Sequence, residues 1–86
     1  MITKTDDIIW RVVDDEALIL NTSNGYYFSM NGTATEAWCL LNEGKSIDEV
    51  ARTIAERYEI DLASAKADVE SLLQDLKNEK IVESES

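Results

Sequence analysis

The chain has 86 residues, a net charge of −10, no histidine, one cysteine and only three glycines. A length this small allows one domain with one modest core, burying about 60–65% of the unfolded surface. So large an acidic excess repels phosphate backbones and anionic membranes, which excludes nucleic acid as a natural partner. With no histidine and a lone Cys39, neither an ordinary zinc or haem site nor an internal disulfide is expected, and no cofactor is implied. A reducing cytoplasm fits best.

The opening "MITKTDDIIWRVVDDEALIL" has acidic residues breaking each apolar run, so it offers neither a secretory segment nor a membrane span. Residues 1–7 read as a flexible N-terminal segment. Then "IIWRVV" (8–13), "ALIL" (17–20) and "YYFSM" (26–30) are rich in β-branched and aromatic residues, separated by Asp14-Asp15 and Ser23-Asn24-Gly25. Asp and Asn side chains bond nearby backbone and Gly tolerates positive φ, so both separators are turns. A three-stranded antiparallel meander follows, with its first and third strands as edges. Alternation puts Tyr26, Phe28 and Met30 on one face of the third strand and Tyr27 and Ser29 on the other.

Beyond Asn31-Gly32 the period becomes helical. "TATEAWCLLNEG" has Thr33 and Glu36 at capping-box spacing, the stripe Ala34, Ala37, Trp38 and Leu41, and a stop at Gly44. "SIDEVARTIAERY" repeats the device with Ser46 and Glu49, and its stripe is Ile47, Val50, Ala51, Ile54 and Tyr58. Asp61 opens a third helix with the stripe Leu62, Ala65, Val69, Leu72, Leu73 and Leu76. Ile81-Val82 closes the domain, taken as 8–82, and 83–86 reads as an acidic tail. Strands first and helices after define an α+β domain like a winged helix-turn-helix.

Signs of catalysis are missing. Asp6-Asp7 and Asp14-Asp15-Glu16 are adjacent carboxylates, but one group lies in the terminal segment and the other in a turn, where water screens them. Cys39 sits inside a helix with no histidine to activate it and reads as a small buried hydrophobe. The glycines are too dispersed for a phosphate loop. A carrier with a prosthetic arm would need Asp-Ser-Leu at a helix start, and here the nearest stretch is "DLASA". A groove-reading third helix would need a basic face, whereas this one opposes Lys66 and Lys77 with Asp68, Glu70, Asp75 and Glu79.

The third strand raises its own question. Natural edges are blunted by Lys, Pro or bulges, and "YYFSM" contains no charge and no proline. An extended peptide could add there as a fourth strand, its side chains dropping into a trough beside the third helix. The first two strands are also apolar on both faces, so one face stays as a patch or is covered by a partner enzyme or a second copy.

"GYYFSMN", "TATEAW", "LNEGKSIDEVARTIAERYEID" and "ADVESLLQDLKNEKIV" together resemble the PqqD family, small peptide chaperones that act as recognition elements for ribosomally made, modified peptides. The likeness runs from about Ile8 to Val82. It implies a winged-helix-like fold in which the precursor's leader pairs with the third strand beside the third helix. Carried onto this chain, the peptide-binding positions are Tyr26, Tyr27, Phe28, Ser29 and Met30 on the strand. On the helix they are Asp68, Val69, Leu72 and Leu73, with Lys66 and Glu70 near the same side.

The family often has Pro after the Asn that ends the strand and Gly before the final apolar pair, where this chain has Gly32 and Lys80. Members serve radical SAM enzymes that make quinone cofactors or the leader peptidases of lasso-peptide clusters, so the resemblance implies a non-catalytic adaptor. The alternative is a generic winged-helix interaction or regulatory module, with a homodimer through the sheet as one form of it.

Overall fold

The structure, a computed structural model, describes residues 2–4 and 7–85. Strands β2 (Ile8–Val13), β3 (Glu16–Asn21) and β4 (Tyr27–Asn31) form an antiparallel sheet in that order, so β2 and β4 are its edges as the meander requires. Asp14 and Asp15 both take positive φ, 49° and 64°, giving the two-residue turn whose twist matches the flanking strands. Asn21 sets the second turn. Its side-chain oxygen, buried, accepts from the Ser23 N–H at 3.0 Å and the Ser23 hydroxyl at 2.7 Å.

The ends depart from expectation. Of the stretch read as a flexible segment, residues 1, 5 and 6 lie outside the described residues. Ile2–Lys4 forms β1, and it pairs antiparallel with β5 (Val82–Glu85), which takes in most of the expected tail. This ladder joins residues some eighty positions apart, Ile2 opposite Glu85. Neither segment is long enough to show an apolar period, so no local signal announces the pairing.

Three helices follow: α1 (Thr33–Asn42), α2 (Ile47–Tyr58) and α3 (Leu62–Asn78). Ser46 and Glu49 make the full reciprocal capping box on α2, and Asp61 caps α3 by accepting from the Ser64 N–H at 3.3 Å. The box expected at Thr33 and Glu36 does not form. Gly32, at φ 56°, takes the cap position with no side-chain bond, and Thr33 is already helical. The strand runs into the helix without room for a separate capping residue.

All three helices stop in one way. Gly44, Glu59 and Lys80 take left-handed φ of 95°, 54° and 60°, and the following N–H reaches back five residues: Lys45 to Leu40, Ile60 to Ala55, Ile81 to Leu76.

The core lies between the sheet's inner face and the helices. Ala17, Ile19 and Met30 from the sheet meet Trp38, Leu41, Val50, Ile54, Val69, Leu73 and Leu76. Each fully buried aliphatic side chain contributes about 1.5–3 kcal/mol. Trp10 lies edge-on to Trp38, ring centroids 5.5 Å apart. Leu62 and Tyr58, placed in apolar stripes by their spacing, are exposed because both sit at helix ends beyond the reach of the sheet.

The sheet's outer face carries no helix. Register lines up Ile9, Leu20 and Tyr27 across it, and Arg11, Leu18 and Ser29 in the next row. Ile9 and Tyr27 remain 62% and 75% exposed.

Candidate functional site

The β4 edge follows from the ladder's parity. The Asn21 N–H donates to the Tyr26 carbonyl at 2.9 Å, and the Gly32 N–H to the Asp15 carbonyl at 3.3 Å. Even-numbered positions of β4 therefore turn their backbone toward β3. The N–H and C=O groups of Tyr27, Ser29 and Asn31 point away from the sheet. Among the described residues no strand pairs with that side.

Side chains on β4 follow the same alternation. Met30 is buried and Phe28 half-buried against the core, while Tyr27 and Ser29 lie exposed on the outer face. Tyr26, grouped with Phe28 and Met30 by alternation, precedes the strand and is 72% exposed, because the helices do not extend over that corner.

Next to the C-terminal end of β4 lies a depression of about 230 Å³. Asp68, Val69 and Leu72 line it from α3, Ile54 from α2, and Thr33, Ala34 and Ala37 from the start of α1. α3 packs along α2 and onto β5, and α1 comes closer to β4 than α3 does. The hollow is thus walled by the three helices, with Thr33, two residues past the end of β4, on its rim. A peptide paired with β4 would lie about 4.8 Å out from that strand.

The helical residues implicated by sequence separate into three groups. Asp68 and Leu72 line the hollow with Val69, which is itself buried. Leu73 is a core residue. Lys66 and Glu70 lie on the other flank of α3, lining a shallow recess with Ser46, Ile47 and Asp48, where the Lys66 ammonium meets Asp48 at 3.3 Å. The α1 contribution was missed. Its signal was the pair of small residues Ala34 and Ala37 near the helix start, which leave space where larger side chains would fill it.

Two further depressions lie elsewhere on the surface. On the outer face, Ile9, Trp10, Arg11, Leu18, Leu20 and Tyr27 surround about 370 Å³. Between the β2–β3 turn and the helices, about 460 Å³ is lined by Asp15, Glu36, Cys39, Glu43 and Arg57 among others, with Arg57 paired to Glu36 at 2.7 Å. Cys39 is half-buried here rather than a core residue. Burial, then Glu43 and Glu36, push its thiol above the ordinary range, the opposite of what a nucleophile needs. Among the described residues no helix is long and apolar enough to cross a membrane.

A three-stranded antiparallel sheet with β4 at one of its two edges, three helices behind it and an apolar hollow among those helices define a winged-helix-like α+β domain. Residues 16–82 match the family model for coenzyme PQQ synthesis protein D (PqqD), and the chain belongs to that family. The solved structure of TbiB1 in complex with the TbiA(beta) leader peptide is similar over 98% of both chains, at 27% identity and a TM-score of 0.90. A second, lasso peptide synthetase B1 complexed with the leader peptide, is similar over 92% of this chain and 93% of that one, at 25% identity and a TM-score of 0.86. No curated protein sequence matches the chain.

Proposed function

We propose that this protein is a non-catalytic adaptor that captures the leader of a ribosomally made precursor peptide by strand addition to β4. It holds the attached core segment at a separate modifying enzyme. The carrying observation is the unpaired row at Tyr27, Ser29 and Asn31 beside the apolar hollow. The likeness to two proteins solved with leader peptides supports it.

Recognition divides between main chain and side chains. Backbone pairing with β4 accepts many sequences, while the hollow beneath Asp68 and Leu72 admits one or two apolar anchors. The interface is at or below roughly 1,200 Å², because a disordered leader is ordered as it binds. Rate gain arises from effective concentration at the enzyme, not from chemistry on this chain. Cys39, the one thiol, supports that reading, being held protonated.

The enzyme partner is either a radical SAM enzyme or a leader peptidase, and the resemblance to lasso B1 proteins favours the peptidase. The bare outer face around Ile9 and Leu20 supports a second protein contact, either that enzyme or another copy of the chain in a homodimer. The acidic, histidine-free composition with one free thiol supports a cytoplasmic site of action.

The test first seeks a short precursor gene near this one and then titrates its leader into labelled full-length protein. Amide shifts should centre on Tyr27 to Asn31 and on α3 around Asp68 and Leu72. Saturable binding with shifts confined to other elements would refute strand addition.

A further inference from the structure

We infer that the docking cleft selects a basic peptide segment, with Lys or Arg side chains directed at α3. The inference rests on the leader-binding reading above and adds the charge class of the guest. Successive residues of a helix turn by about 100°, so positions seven apart return to nearly the same bearing. Asp68 and Asp75 stand at that interval within α3, and Glu79 follows four residues later at its C-cap, putting three exposed carboxylates along one flank of α3.

Asp68 fixes which flank this is, since it lines the apolar hollow together with Leu72. The two lysines of the helix, Lys66 and Lys77, fall on the opposite flank by the same geometry, and Lys66 is already engaged with Asp48. Across the cleft, residues Asn24 to Thr33 include no charged side chain. The hollow is therefore apolar at its base, neutral along the strand and anionic along the helix. The complementary occupant is an extended segment with apolar anchors and cationic residues on its α3 side, and an acidic segment is repelled.

A phage-displayed library of random dodecapeptides, panned against the full-length protein at low salt, tests this without knowledge of the natural leader. Enriched peptides should carry two or more Lys or Arg, and synthetic copies should shift the amides of Tyr27, Ser29 and Asn31. Their Kd should rise roughly 3- to 10-fold in Asp68→Asn/Asp75→Asn, and further in Asp68→Lys/Asp75→Lys. In the unmodified protein it should also rise when salt is increased from about 0.05 to 0.5 M.

Both side chains are exposed, so native circular dichroism is expected, and the salt series needs no variant. Neutral or acidic peptides that shift β4 and ignore both the variants and salt would overturn the charge inference while leaving leader capture intact. Peptides that bind without disturbing β4, or failure to enrich any, would overturn both.

Discussion

The Thr35 hydroxyl donates to the Met30 carbonyl at 2.9 Å, and it accepts from the Ala17 N–H at 3.2 Å. One side chain from the first turns of α1 thus links the last turn-in of β4 to β3, and it is itself buried. The contact fixes the docking strand against the helix that lines its hollow. Ala17 and Met30 also face each other in the ladder, so Thr35→Val, which keeps the shape, removes the hydroxyl's two bonds and leaves these groups to each other alone. Stability should fall by about 1–2 kcal/mol in urea unfolding, and Thr35→Ser should recover most of it. An unchanged midpoint for Thr35→Val would show that the ladder pairing alone satisfies both groups.

That link was not legible in the sequence, where Thr33 and Glu36 advertised the capping box and Thr35 looked like spacer. Motifs that act within one turn of chain were readable: the Asp14-Asp15 turn, the Ser46 box and the Asp61 cap all form. So was the meander, because two clusters of turn formers separate three runs rich in β-branched and aromatic residues, although alternation left open which face of the first two strands is inner. What failed depends on distance. The β1–β5 pairing and the gap at Ala34 and Ala37 are set by which segments meet after folding. The division of α3, with Lys66 and Glu70 turned from the hollow, needed the position of α2.

The α2 cap makes a pH prediction. The Ser46 N–H donates to Glu49 Oε1 at 3.0 Å, and Ser46 Oγ accepts from the Glu49 N–H at 3.1 Å. Bonding to the Ser46 backbone, then to its side chain, holds the Glu49 carboxyl below its ordinary value. A group depressed in the folded state contributes stability above its unfolded pKa, and that contribution is lost as pH falls through the folded pKa. The advantage of the natural chain over Glu49→Ala should therefore be full near about pH 7 and shrink steadily in acid below about pH 4, read as the difference in urea midpoints. A difference independent of pH would show that the ionised carboxylate does not carry the advantage.

Helix stops offer a gain rather than a loss. Glu59 holds φ 54° at the end of α2 in the position that Gly44 fills for α1. Left-handed backbone penalises a side chain by roughly 1–2 kcal/mol, partly offset by the extra freedom glycine has when unfolded. Glu59→Gly should raise stability by about 0.5–1 kcal/mol, seen as a higher melting temperature with the far-ultraviolet spectrum unchanged. Loss of stability would mean that the Glu59 side chain has contacts worth more than the strain.

The decisive prediction concerns main chain rather than side chains. Ser29 stands opposite Leu18 in a pair whose backbone groups do not face each other, so its N–H points outward. Proline is tolerated on an edge strand at such a position, since no ladder bond is removed. Ser29→Pro should fold, with a stability change within about 1 kcal/mol, and weaken leader binding roughly 5- to 10-fold by deleting one donor and crowding the approach. Tyr27→Ala, 75% exposed, should weaken binding less and leave stability within about 0.5 kcal/mol. Phe28→Ala opens the half-buried face and destabilises the fold, so it confounds the two effects. Full leader affinity in folded Ser29→Pro would mean that the guest does not pair with β4, and side-chain contacts in the hollow would then have to account for all of the binding.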